Sequence, residues 1–153
     1  MNIFILDTDV EKCAIYHNDK HVVKMITESA QMLCSAKLVS GEDAPYRLTH
    51  KNHPCSIWAR TSRANWNWLK DLTEALNTEW QYRYDHVRDH KAWEKVKNLI
   101  APNVPDVGVT PYVQAMPDER RCNDAVTAYR NLYMVEKRHL ASWKKRSTPD
   151  WFK

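Results

Sequence analysis

Four side chains between Tyr16 and Leu33 carry the chemistry this sequence can offer. His21, Lys24, Glu28 and Gln31 are spaced three, four and three residues apart. At 3.6 residues per turn they fall within about a quarter of a helix circumference. An imidazole, an amine and a carboxylate on one line can pass protons or attack an electrophilic carbon. A charged line of this kind is also what an ordinary solvated helix face looks like. Two features weaken that plainer reading. Lys24 precedes Glu28 by four residues, the poorer order for a helix-stabilising pair. Met25 and Met32 flank the line, which suggests a partly covered rim.

The helix that must carry these residues is capped by Asn18 or Asp19 and runs to about Leu38, before Ser40-Gly41. Val22, Ile26, Ala30 and Leu33 form its apolar stripe, opposite the polar line. Before it, Asn2–Leu6 reads as an extended apolar segment. Thr8 to Glu11 reads as a capping box opening a short helix to about Tyr16. After it, a polar loop spans 40–54, and Pro54 opens a short turn through Trp58. A long helix over about 62–84 buries Trp66, Leu69, Leu72, Leu76 and Trp80. A charged segment over about 89–100 turns Trp93, Val96 and Ile100 inward. Residues 101–119 hold four prolines and a glycine, which marks a long ordered loop. Asn123 or Asp124 caps a last helix ending near Trp143, with Val126, Tyr129, Leu132, Tyr133 and Leu140 as core positions. The expectation is one all-α domain of about five helices over residues 1–153.

Composition narrows the function. With only two glycines, Gly41 and Gly108, the chain cannot build a phosphate-binding P-loop, a dinucleotide turn or a nucleophile elbow. The four cysteines are dispersed without a CxxC and read as buried thiols. His17/His21 and His86/His90 have a spacing that can grip zinc, but no HExxH accompanies them, so no metal is expected. The longest early apolar run, Ile3 to Leu6, is too short for a signal peptide, and no run approaches the ~20 residues of a membrane span. A cytosolic monomer is expected. The net charge of +4 is compatible with nucleic acid. Lys51, His53, Arg60 and Arg63 surround a His-Pro helix start that can grip a backbone phosphate. Lys144, Lys145 and Arg146 lie beside Trp151-Phe152 in a basic, aromatic tail that combines phosphate attraction with a stacking surface. Both segments also read as an ordinary loop and a solvated terminus.

The run Asp19-Lys-His-Val-Val-Lys-Met-Ile-Thr-Glu28 resembles the N-terminal helix of the pyrimidine-dimer DNA glycosylases of tailed phages. That helix carries Asp-x-His with a catalytic glutamate seven residues after the histidine, which falls here on Glu28. The resemblance continues through His53-Pro54 to Arg83-Tyr84 and returns at Pro149-Asp-Trp151-Phe152, covering about half the chain. It implies an all-α enzyme of the infected bacterial cytoplasm that binds double-stranded DNA, extrudes a nucleotide and breaks its N-glycosidic bond. The chain-start amine attacks the sugar, the glutamate stabilises the cationic sugar, and no cofactor is used. Strand cleavage by elimination can follow. The departures are specific. The family begins Met-Thr, whereas Asn2 here is large enough to retain Met1, which sets the amine one residue further out. Lys24 then becomes a rival nucleophile if burial leaves its amine neutral. Thr27 and Gln31 stand where the family has arginines. Action on modified nucleotides or hypermodified bases, and a non-catalytic DNA-binding module, are the alternatives.

Overall fold

The computed structural model describes all of residues 1–153. Six α-helices form: α1 Val10–Tyr16, α2 Asp19–Val39, α3 Pro54–Thr61, α4 Arg63–Tyr84, α5 Lys91–Val96 and α6 Ala125–Val135. Two short 3-10 turns, Asp118–Arg120 and Arg138–Leu140, complete them, and the chain is all-α. No helix is long and apolar enough to cross a membrane.

Local chemistry explains most boundaries. Asp9, one residue after the expected Thr8, caps α1 by accepting from the amides of Glu11 and Lys12. Asn18 caps α2 through the His21 amide. His53 caps α3 through the Cys55 amide, with Pro54 in the first turn, where its missing N–H costs nothing. Asp124 caps α6. Two expectations fail at C-terminal ends. α5 stops at Val96 and leaves Ile100 77% exposed, and α6 stops at Val135, so Leu140 is only half-buried.

Helices α2 and α4 run antiparallel at the centre. The Trp66 indole N–H, near the start of α4, donates to the Leu33 carbonyl late in α2 (3.0 Å), while Arg83 at the end of α4 meets Asp19 at the start of α2 (3.0 Å). α2 is buried far round its circumference, including Met25 and Met32, because the N-terminal segment covers the side beside its polar line. Ile3 to Leu6 are fully buried, and Phe4 stacks on His21 at 4.3 Å. The proline-rich loop is pinned too: buried Asn65 exchanges hydrogen bonds with Thr110, and the Trp58 indole donates to Pro111. Cys13, Cys34 and Cys55 are buried thiols; Cys122 is exposed.

Both histidines of the first pair are structural. His17 Nδ1 donates to the Cys13 carbonyl (2.7 Å) and His21 Nδ1 pairs with the Tyr133 hydroxyl (2.6 Å). Burial pushes the His17 imidazole down to about 4 and the His21 imidazole down to about 3. His86 and His90 pack on Trp80. The folded chain therefore holds His17 and His21 neutral where the unfolded chain, near 6.5, takes up protons. Below pH 6.5 the unfolded state binds more protons, so stability falls with acidity until pH nears the folded values. At pH 5 the two rings together remove roughly 4 kcal/mol relative to pH 7. Urea midpoints measured between pH 7 and 5 should fall steeply, and His21→Asn should flatten that slope by about one proton even though it lowers overall stability.

Candidate functional site

The extended N-terminal segment and α2 run side by side in opposite directions, and their register fixes the site. From Phe4 back to Met1 the segment spans about 10 Å at ~3.3 Å per residue. From His21 to Glu28 the helix rises about 10.5 Å at 1.5 Å per residue. Stacking Phe4 on His21 therefore delivers the chain start to Glu28. The Met1 amine nitrogen lies 3.4 Å from Glu28 Oε1, and Lys24 Nζ lies 3.6 Å from Glu28 Oε2. The carboxylate is mostly covered, with 15% of its side chain exposed. Its Oε2 is buried and has no hydrogen-bond partner. A buried carboxylate oxygen without a hydrogen bond costs stability, which the Lys24 ammonium 3.6 Å away offsets only in part.

The chain start is held by a clamp that sequence reading missed. Asn2 turns its side chain inward. Its Oδ1 accepts from the Ile3 amide (2.8 Å) and from the Tyr129 hydroxyl (2.7 Å), and its Nδ2 donates to the Ala115 carbonyl (3.2 Å). Tyr129 in turn accepts from the Ala115 amide (3.1 Å). The proline-rich loop and α6 thus position residue 2. The Met1 side chain packs on Ser56 of α3, with Sδ 3.8 Å from the Ser56 hydroxyl. The amine consequently reaches Glu28 with Met1 in place, one residue further out than the resemblance implies. The one hint in the sequence is a polar Asn heading the apolar run of Ile3 to Leu6.

The other candidates divide. Gln31 is half-buried one turn beyond Glu28. Lys24 is 69% exposed, so the burial required of a lysine nucleophile is missing. His21 does not join the site. It shares the angular position of Glu28 but lies in the core between Phe4 and Tyr133, because the N-terminal segment covers that end of the line. His53 stands near the chain start. Burial, the Met1 amine and His50 hold its imidazole below the usual range, while Glu28 opposes them. Cys55 beneath it is pushed up to about 11 by burial.

The expected phosphate corner and basic tail are rearranged. Lys51 is exposed, but Arg60 donates to the Lys51 carbonyl (2.7 Å), and Arg63 faces a separate depression with Lys70. In the tail, Lys145 pairs with Asp85, and Arg146 makes two hydrogen bonds to Glu79 (2.9 and 3.0 Å). Of these three cations only Lys144 keeps its charge free of a carboxylate, lying over the Tyr84 ring at 5.4 Å. Trp151 is not an open stacking platform. It packs against Tyr16 and Tyr133, Arg130 covers its ring at 5.3 Å, and its indole nitrogen is buried.

No family model, curated protein or solved structure matches this chain.

Tyr129→Phe tests the clamp. It keeps the ring and removes the hydroxyl that joins Asn2 to the loop, at a cost of about 1–3 kcal/mol. The Ile3 amide, whose acceptor is Asn2 Oδ1, should exchange with solvent at least tenfold faster while the α2 and α4 amides keep their protection relative to global stability. Unchanged exchange at Ile3 would show that the chain start is held without Tyr129.

Proposed function

We propose that this chain is a DNA base-excision enzyme that cleaves the N-glycosidic bond of a damaged or modified pyrimidine and forms an imine with the sugar. The observation that carries the reading is the 3.4 Å approach of the Met1 amine to the Glu28 carboxylate. The amine attacks C1′ through its lone pair, so one proton must leave it, and Glu28 Oε1 is the acceptor within reach. As the C1′–base bond breaks, the base departs with the electron pair and takes the proton that Glu28 has just accepted, so that the carboxylate is ionised again as positive charge spreads over the sugar. A fixed carboxylate close by lowers that barrier. Loss of the second amine proton and opening of the sugar ring complete the imine, from which β-elimination can cut the strand. Extrusion of the nucleotide costs a few kcal/mol, least where pairing is already damaged.

A second reading is favoured by the tail. With Lys145 and Arg146 committed to Asp85 and Glu79, the grip on a long duplex is reduced. The same carboxylate–amine pair would then act on a free or hypermodified nucleotide.

Incubation with duplexes carrying modified pyrimidines, followed by borohydride, should trap a covalent adduct whose DNA maps to the Met1 peptide. Lys24→Ala should retain the adduct. Glu28→Gln should lower base release by at least a thousandfold while leaving duplex affinity within about threefold. Base release that survives Glu28→Gln would overturn the assignment; turnover of mononucleotides without duplex binding would favour the second reading.

A further inference from the structure

One turn beyond Glu28, Gln31 enters an open depression of about 360 Å³ whose other walls are Pro45, Tyr46, Arg47 and Thr49. Its volume falls at the small end of ligand pockets, suited to a single nucleotide unit. The walls are fixed to α2. Ser35, one turn further along, donates its hydroxyl to the Thr49 carbonyl (3.1 Å) and accepts from the Thr49 amide (3.2 Å). His50 then turns the chain in the left-handed region (φ 49°), and the Thr49 hydroxyl bonds to its ring (2.8 Å). Tyr46 is half-buried, with Lys95 over its ring at 4.8 Å. The Gln31 carboxamide and the exposed Arg47 guanidinium have no hydrogen bond or ion pair elsewhere in the chain. A donor–acceptor pair and a free cation are thus held by a braced wall about 4.5 Å along the helix from the candidate catalytic carboxylate.

We infer that this depression recognises a pyrimidine nucleotide, with Arg47 on its 5′-phosphate and Gln31 on the Watson–Crick edge of its base. The inference rests on the reading of Glu28 as the group acting at the sugar, and names the subsite that presents the sugar to it. A carboxamide offers one donor and one acceptor. It matches O4 and N3–H of thymine directly and the N4 and N3 of cytosine after a flip. A purine edge offers the same pairs, so the carboxamide reads a base edge and the small volume of the depression favours the smaller, pyrimidine base. The two larger depressions suit a nucleotide less well. One is lined by Glu11, Asp71 and Glu74, which repel phosphate. In the other, Lys70 is committed to the Leu99 carbonyl and Glu42 and Asp106 oppose Arg63.

Titration of isotope-labelled full-length chain with thymidine 5′-monophosphate, followed by NMR, tests this directly. Saturable shifts are expected at Gln31, Tyr46, Arg47 and Thr49. Arg47→Ala should weaken binding at least tenfold. N3-methylthymidine monophosphate should bind at least fivefold more weakly than thymidine monophosphate to the native chain, and equally to Gln31→Ala. Glu28→Gln should bind the mononucleotide like the native chain. Shifts centred elsewhere, no saturable binding, or an unchanged affinity in Arg47→Ala would overturn the assignment. Binding as described in a chain that never releases a base would instead sink base excision and leave the pocket standing.

Discussion

The guanidinium of Arg83 is the joint on which the architecture turns. It is completely buried, and four of its hydrogen bonds reach three elements. Nε donates to Glu79 on α4 (2.7 Å), Nη1 to Asp19 on α2 (3.0 Å) and to the His17 carbonyl (2.8 Å), and Nη2 to the Ile15 carbonyl (2.8 Å). The two carbonyls lie at the end of α1, where unsatisfied acceptors and the helix dipole favour a cation. Planar geometry matters here: a lysine would supply the charge but not the fork that spans three elements. The network also recruits the tail. Arg146 shares Glu79, while Ser142 and the Lys144 amide share Asp19. Buried Glu79, half-buried Asp19 and two guanidiniums are thereby neutralised together. Removing Arg83 alone would strand Asp19 and part of Glu79, a loss of about 3–5 kcal/mol for a buried pair. The bend between α1 and α2 depends on this joint, and that bend lays residues 3–6 along α2.

The site downstream of that bend follows the opposite logic. The Arg83 guanidinium and the two carboxylates it meets are all answered by hydrogen bonds. At Glu28 one oxygen is left without a hydrogen bond and the other faces an amine at 3.4 Å, beyond a tight hydrogen bond. Strain or unsatisfied polarity held in place by a well-determined surrounding structure is characteristic of reactive positions. The surroundings here are well determined. Asn2 is fixed at both ends of its amide, Ser56 supports Met1, and buried Tyr129 is braced by the Ala115 amide. Chain starts usually fray, so three contacts spent on residues 1 and 2, one of them itself braced, constitute a specific arrangement.

The helices were legible because their punctuation is local. Asn18, His53-Pro54 and Asp124 act within three residues of themselves, and periodicity places Trp66, Leu69 and Leu76 correctly inside. Glu28 was legible as a candidate from spacing and family resemblance. His21 shows where such reading stops. Helical periodicity gives an angle about the axis but not the identity of what covers it, and Phe4, seventeen residues away, decides that His21 is core. The tail fails for the same reason. Lys145 and Arg146 look free in sequence because Asp85 and Glu79 lie some sixty residues earlier. The Asn2–Tyr129 contact, 127 residues apart, has no local signature at all.

Those partnerships also redistribute the protein's usable charge. A cation already paired to a carboxylate attracts little additional phosphate, so the formal charge of the tail overstates its field. Lys24, Arg47 and Lys51 are exposed, and none has a tight carboxylate partner: Lys24 sits 3.6 Å from Glu28, and the side chains of Arg47 and Lys51 meet no carboxylate. Positive potential available to a ligand therefore includes the outer line of α2 and the 45–51 loop. On the proposed reading this arrangement has a mechanistic consequence. Phosphates gripped on that side set the sugar over Glu28 while the carboxylate remains paired with a cation at each oxygen. When the Met1 amine surrenders its proton to Glu28 and the departing base carries that proton away, the positive charge on the amine gives way to one on the sugar, beside a carboxylate that is ionised again. The local field then stabilises the departing state more than the resting one, which is the differential that catalysis requires.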